Sequence, residues 1–293
     1  MTVIEDAPAK INLALHVTGQ RSDGYHLLDM LVTFTRHGDR LEFRSAGSDE
    51  FVISGRFAGA LDNSRDDNLV LKARDFLRDV ITHEGGSAPA VRIHLQKNLP
   101  IASGIGGGSA DAAATLRGLM RLWNASLPEA TIEAIAIRLG ADVPMCLASR
   151  PLVARGIGEQ ITPVDDMPAF AMVLVNPLKG ISTPEVFRRL TNKDNPPLDM
   201  TPRSTWLEAI GSMRNDLEPV ARDLLPEITE ISAMLKKQGA SFVRMSGSGA
   251  TCYGIFDTLA AAEDAAAALH SERPDWYFES TETIAGGHDA RTR

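Results

Sequence analysis

The sequence predicts an α+β fold in two parts, and three observations carry that reading. Strand-period alternation at residues 90–96 leads through a glycine-rich turn into a helix-period run at 109–123. The other predicted strands and helices follow without regular βα alternation, and a second set of them begins after Gly158. A length of 293 residues suits about two domains at roughly 150 residues each.

In chain order, residues 10–17, 27–34 and 40–43 read as strands, and 68–80 as a helix capped by Asp66 or Asp67. In the strand at 90–96, Val91, Ile93 and Leu95 share one side, with Arg92, His94 and Gln96 on the other. Ala112, Leu116, Leu119, Met120 and Trp123 then recur at helical spacing. The second part predicts strands at 170–175, 242–245, 251–256 and 276–280, and helices at 185–190, 205–213, 227–238 and 259–269. The Pro-rich, charged stretch 192–203 reads as a surface loop, the zone between the parts falls in 155–168, and residues 285–293 read as a tail.

A hydrophobic fraction of 44% and a charged fraction of 23% exclude disordered and low-complexity classes, since that much apolar surface fills a core. A net charge of −8 argues against nucleic acid as a partner, because a polyanion is repelled unless cations cluster. An anionic small molecule needs only a few backbone N–H groups and one or two cations. Cys146 and Cys252 have neither CxxC nor zinc-finger spacing, which fits a reducing cytosol. The N-terminus carries Glu5 and Asp6 and has no basic-then-apolar pattern, so no leader peptide is expected. The longest apolar run, 169–175, is far short of the roughly 20 residues that cross a bilayer. A cytoplasmic protein without membrane partners is the expectation.

The stretch PIASGIGGGS at 100–109 places four glycines between a strand and a helix. Such a loop lets backbone N–H groups approach an anion at a helix N-terminus, where partial positive charge already favours it. No lysine follows Lys97 before the helix, so this is not a Walker A loop. A dinucleotide fingerprint starting at Gly104 would need glycine at Ser109 and an acid near Asn124, and it fails at both. Read alone, Lys10 is equally a solvated strand-end lysine, Asp142 an N-cap after the helix that Gly140 ends, Asn68 a helix cap and Phe187 a core residue.

Together, APAKINLAL, GYHLL at 24–28, PIASGIGGGSADAA, GADVP and SGSGATC at 246–252 resemble the GHMP kinases. The resemblance implies an N-terminal ATP-binding domain over 1–160, resembling ribosomal protein S5 domain 2, and a ferredoxin-like substrate domain over 161–285. It implies ATP and Mg2+ as cofactors, with no metal ligand named. The fuller pattern APAKINLALHVTGQRSDGYHLL with DNLV at 67–70 resembles members that phosphorylate the 2-hydroxyl of a cytidine-diphosphate-linked methylerythritol. By that resemblance Asp142 takes the hydroxyl proton, while Lys10 orients Asp142 and offsets charge on the clustered phosphate oxygens. Pro100, Ile101, Ala102, Ser103, Gly104, Ile105, Gly106, Gly107, Gly108, Ser109 and Ala110 would surround the phosphates, with Asn68 and Lys97 near the nucleotide. Tyr25 and Phe187 would sandwich the cytosine, His26 would bond its edge, and Asn12, Thr183 and Asp142 would contact the substrate. Ala102, Ser103, Ile105 and Ala110 depart from the residues common in the family. The alternatives are a GHMP kinase acting on homoserine or mevalonate, and a nucleotide-binding relative without activity.

Overall fold

The computed structural model describes residues 1–61 and 68–287. Two compact units interleave along the chain. The first comprises Met1–Ala9, Gly38–Ile101 and Gly106–Ser149, and the second Lys10–His37, Ala102–Ile105 and Arg150–Arg293. Two long strands, β1 (Thr2–Gln20) and β2 (His26–Ser45), contribute to both.

In the first unit, residues 40–45 of β2 pair antiparallel with β4 (Val91–Gln96), and β3 (Glu50–Ser54) pairs parallel with β4. Val91, Ile93 and Leu95 are all buried, as the alternation requires. Helices α1 (Leu69–His83), α2 (Gly107–Leu122), α3 (Glu129–Leu139) and α4 (Val143–Ala148) pack against one another. Near-continuous burial from Ala110 to Leu116 makes α2 the central helix, and its small alanines let its neighbours approach closely.

In the second unit, residues 28–32 of β2 pair with β5 (Leu152–Gly156), which pairs with β6 (Gln160–Pro163). A separate antiparallel sheet has the order β10 (Tyr277–Glu282), β7 (Ala171–Asn176), β9 (Cys252–Phe256), β8 (Phe242–Met245). Helices α8 (Glu227–Lys237) and α9 (Leu259–Glu272) pack on it, while α5 (Thr183–Arg189), α6 (Trp206–Ser212) and α7 (Glu218–Leu224) lie between β7 and α8 in sequence. Trp276, Tyr253 and Tyr277 are its largest buried side chains. Mixed sheets and helices in this order bear out the α+β expectation.

Several local expectations need correction. Residues 27–34 and 40–43 belong to one strand, because the polar interval between them is satisfied where it stands: Thr35 Oγ1 donates to His37 O at 2.7 Å, and Asp39 Oδ1 accepts from Leu99 N at 2.8 Å. Asn68 caps α1, its Oδ1 accepting from Val70 N at 2.9 Å; Asp66 and Asp67, expected as caps, lie outside the described residues, as do residues 288–293 of the expected tail. The stretch 155–168 contains β6, and β3, β5 and α7 were not anticipated. Asp142 precedes α4 but makes no side-chain capping bond, because its backbone is helical (φ −86°, ψ −15°) and a capping side chain needs the extended conformation. Phe187 is half-buried beside the fully buried Val186, so it is not a core residue.

Candidate active site

The second unit gathers three remote segments. The period of two puts Lys10 and Asn12 on one face of β1. Lys10 N donates to Ile105 O at 2.9 Å, so β1 runs directly beneath residues 102–105 of the glycine-rich segment. From the other side comes the second glycine cluster: Thr251 N donates to Ser103 O at 3.1 Å, and Ser246 Oγ donates to Gly104 O at 3.1 Å. The same Ser246 oxygen accepts from Asn12 N at 3.1 Å. One hydroxyl therefore links β1, the first glycine segment and the second.

Their contact is backbone to backbone, which explains Gly104. A Cβ there would lie 2.6 Å from Gly249 O and 2.7 Å from Ser246 O, and its φ of +77° is a conformation that side chains resist. Thr183, the first residue of α5, joins the cluster through a 2.7 Å contact between its Oγ1 and Ser248 Oγ. Asn12 is fully buried, and its Nδ2 faces Met30 Sδ at 3.3 Å while its Oδ1 has no hydrogen-bond partner. A buried, unpaired amide oxygen is an acceptor waiting for a donor.

The aromatic residues lie in the same unit. The rings of His26 and Phe187 stack with centroids 4.7 Å apart and planes 25° apart, so His26 covers one face of Phe187. Tyr25, next in the chain, is 60% exposed. His26 Nε2 is buried without a hydrogen-bond partner. Burial, and secondarily the ammonium of Lys193, hold His26 below the usual histidine range, which keeps its ring neutral near pH 7.

The first unit holds a second group of the residues singled out from sequence. Gly106, at φ +66°, is the N-cap of α2 and has no side chain to close the N–H groups of the first turn. Lys97, 3% exposed, places its ammonium 2.5 Å from Asp39 Oδ2 and 2.7 Å from Asp111 Oδ2. Asp39 Oδ1 also receives the N–H groups of Asn98 and Leu99 at 2.6 and 2.8 Å. This triad pins the strand leading into the glycine-rich segment to the helix leading out of it. Burial alone would lower the Lys97 pKa, but Asp111 and Asp39 outweigh it and hold the ammonium above the usual lysine range. Two carboxylates share that one charge. Burial therefore pushes Asp111 up to about 7, with Lys97 pulling the other way and Asp39 adding to the rise. Asp142, half-exposed, stands at the start of α4. Pro100, Ser103, Ile105 and Ala110 are buried, whereas Ile101, Ala102 and Gly108 are exposed and Ser109 partly so.

Asp39 and Asp111 were not singled out from sequence, and Ser246 and Ser248 entered only within the motif SGSGATC. An acid inside the alanine run after Ser109 and a polar His-Gly-Asp break within an apolar strand were the signals that could have marked the first two.

Comparison with known proteins decides the family. Residues 68–150 match the GHMP kinases N terminal domain and 203–275 the GHMP kinases C terminal domain. A 4-diphosphocytidyl-2-C-methyl-D-erythritol kinase of Rhizobium johnstonii is 67% identical, covering 98% of this chain and 95% of that protein. The chain belongs to the GHMP kinases. Another relative of the same name, from Agrobacterium fabrum, is 58% identical over 96% of each chain. A crystal structure of 4-(cytidine 5'-diphospho)-2C-methyl-D-erythritol kinase matches with a TM-score of 0.80 at 33% identity, covering 98% of this GHMP kinase and 100% of that chain. Homoserine kinase from Cytophaga hutchinsonii matches with a TM-score of 0.66 at 16% identity, covering 97% of this chain and 95% of that one, and shares the fold. Among the described residues, no helix is long and apolar enough to cross a membrane.

Proposed function

We propose that this GHMP kinase transfers the γ-phosphate of ATP to the 2-hydroxyl of 4-diphosphocytidyl-2-C-methyl-D-erythritol, releasing ADP and the 2-phosphate. The step belongs to non-mevalonate isoprenoid precursor synthesis. The observation that carries this reading is the 67% identity, over 98% of the chain, to a relative bearing that enzyme's name. The aromatic pair His26–Phe187 supports it, because a cytosine offers a flat face to stack whereas homoserine and mevalonate offer none.

In this mechanism backbone N–H groups of the glycine-rich segment, at the uncapped start of α2, cradle the triphosphate. Asn68 borders the nucleotide. The Lys97 ammonium is committed to Asp39 and Asp111, so Lys97 acts by anchoring the loop and not by reaching phosphate. Asp142 accepts the proton of the substrate hydroxyl as its oxygen bonds to the γ-phosphorus and the bond from that phosphorus to the β–γ bridging oxygen breaks, leaving ADP. Lys10 offsets negative charge on the transferring group. Asn12 and Thr183 hold the polyol, and Tyr25, His26 and Phe187 hold the cytosine. The described residues contain no cluster of three or more His, Cys, Asp or Glu side chains fit for a metal. Mg2+ bound with a triphosphate would need only about one or two protein carboxylates and would offset charge on the phosphate oxygens. Cys146 and Cys252 are buried and form no disulfide, which supports placement in the cytosol.

The test is ADP release by the purified protein across candidate alcohols, with phosphorus NMR of the product. A new phosphomonoester formed from the cytidine-linked alcohol is expected; phosphorylation of homoserine or mevalonate in its place overturns the reading. Asp142→Asn and Lys10→Met are expected to lower turnover by about two orders of magnitude with ATP binding intact. Unchanged turnover in both would remove their roles.

A further inference from the structure

Asn215 lies in the short segment between α6 and α7, outside every motif of the family resemblance, and is 5% exposed. Its Nδ2 donates to Met245 O at 2.9 Å and to Gly247 O at 2.8 Å, and its Oδ1 accepts from Leu217 N at 3.0 Å. Both donors of the amide are thereby used on the two carbonyls that flank Ser246. Ser246 is the residue whose hydroxyl joins Asn12 N to Gly104 O.

The neighbours of Asn215 hold the same two partners. Leu15 N donates to Arg214 O and Asp216 N to Leu15 O, both at 2.9 Å, and Asp216 Oδ2 accepts from Val17 N at 2.8 Å, so the segment is bound along β1. Glu218 Oε2 accepts from Met245 N at 3.2 Å. A five-residue stretch thus clamps β1 beyond Asn12 and the backbone of the second glycine cluster at once. Within it, Asn215 alone contacts both sides of the Ser246 peptide. No other uncharged side chain of that length supplies two N–H donors and an acceptor from one rigid plane.

We propose that Asn215 is a positioning residue for phosphoryl transfer: by fixing the carbonyls of Met245 and Gly247 it orients the Ser246 hydroxyl and so sets the second glycine cluster against residues 103–105 and Asn12. The proposal rests on the kinase reading given above. Displacement of such a cluster by about 1 Å reduces turnover by up to about a hundredfold, while leaving Tyr25, His26 and Phe187 in place.

Asn215→Asp keeps the shape and, when ionised, turns two donors into an acceptor facing carbonyl oxygens; Asn215→Ala removes the donors altogether. For Asn215→Asp at pH 8 we expect kcat to fall by about tenfold or more, with the KM values for ATP and the cytidine-linked alcohol changed by less than about threefold. Burial among carbonyls raises the pKa of the introduced acid, and its protonation returns one donor. The activity ratio of Asn215→Asp to the parent protein therefore rises as pH falls from 8 to 6, and that of Asn215→Ala stays flat. His16, Asp216, Glu218 and Arg244, bonded to the same backbone from β1, the segment itself, α7 and β8, and Arg214 and Arg222, paired with Asp216 and Glu218, are present in all three proteins and cancel in the ratio.

A merely structural role would lower the melting temperature of both variants, leave kcat per folded molecule unchanged and give no recovery with pH, and that result overturns the proposal. Hydrogen exchange supplies a second reading that does not depend on activity. Faster exchange at residues 246–251 and 103–105 in both variants is expected, and unchanged exchange there also overturns it. An inert parent protein would refute the kinase reading, and the exchange comparison would still decide the role of Asn215 in setting the loop.

Discussion

Lys97 and Asp39 form a buried ion pair at 2.5 Å, and the second oxygen of Asp39 holds the N–H groups of the two residues that follow Lys97. The lysine and the backbone after it are thus fixed by one carboxylate. Asp111, 2.7 Å from the same ammonium, extends the link to α2. Removing the cation leaves two buried carboxylates uncompensated, and breaking a buried pair in this way costs about 3–5 kcal/mol. Lys97→Met is expected to lose that much in urea unfolding, with a deficit that narrows at acid pH as the carboxylates protonate. Asp111 gives the complementary sign. With its folded pKa raised to about 7 from 3.8, the folded state binds the extra proton between those values, so the stability from that proton is present at low pH and is lost as pH rises through 7. Asp111→Asn removes this loss, and its stability relative to the parent should climb as pH rises from 3.8 to about 7 and level off above. A difference independent of pH would show that Asp111 stays ionised in the folded protein across this range and that its pKa is not raised.

On the proposed reading the stacked pair His26–Phe187 serves the cytidine-linked alcohol and not ATP. Base-stacking faces are worth about 1–3 kcal/mol each. Phe187→Ala and Tyr25→Ala should therefore raise the KM for the cytidine-linked alcohol by about tenfold or more, and leave the KM for ATP near that of the parent. Equal effects on both substrates would mean that these rings support the fold and not the base.

Local order was legible in the sequence, and tertiary closure was not. The alternation of Val91, Ile93 and Leu95, the glycine run and the helix after it are patterns within a single window, and the fold reproduces them within one or two residues. By contrast, Asp39 lies 58 residues from Lys97, and Asn215 lies 30 from Met245. Neither pairing leaves a periodic trace. Asn68 was readable as a cap or as a nucleotide contact, and its bond to Val70 N fills the capping role. The seven-residue α7, with Pro219 in its first turn, is too short to establish a helical period. Arg36, His37 and Asp39 imitate a loop because their partners, Glu282, Glu279 and Lys97, are distant in sequence.

His16 is a buried histidine held in one tautomer. Its Nδ1 donates to Pro196 O at 2.9 Å, which leaves Nε2 to accept from Arg214 N at 3.2 Å. Burial, the largest effect, holds its pKa below the usual histidine value, so the folded protein keeps the ring neutral while the unfolded chain protonates near 6.5. The unfolded state then binds more protons below that pH, and the stability contributed by His16 is complete above 6.5 and lost as pH falls. His16→Asn, which retains a donor for Pro196 O, should flatten the dependence of melting temperature on pH between about 5 and 7. An unchanged slope would place the acid sensitivity elsewhere.

Two neighbouring substitutions test the backbone contact between the glycine clusters in opposite directions. Gly104→Ala puts a methyl group 2.6 Å from Gly249 O at a φ of +77°, so it meets both the left-handed cost of about 1–2 kcal/mol and an overpacking cost of about 1–3 kcal/mol. The backbone of the second cluster must move to admit it, so kcat is expected to fall along with stability. Ala102, at φ +50°, already bears the left-handed cost on an exposed loop. Ala102→Gly relieves it but gives the unfolded chain about 0.4–1 kcal/mol of extra freedom, so the net gain is at most about 1.6 kcal/mol. Thermal unfolding and kcat measured on both variants distinguish the causes. If strain alone governs this loop, Gly104→Ala loses stability by about the left-handed cost and keeps its kcat; if the contact with Gly249 and Ser246 governs it, kcat falls in Gly104→Ala and holds in Ala102→Gly.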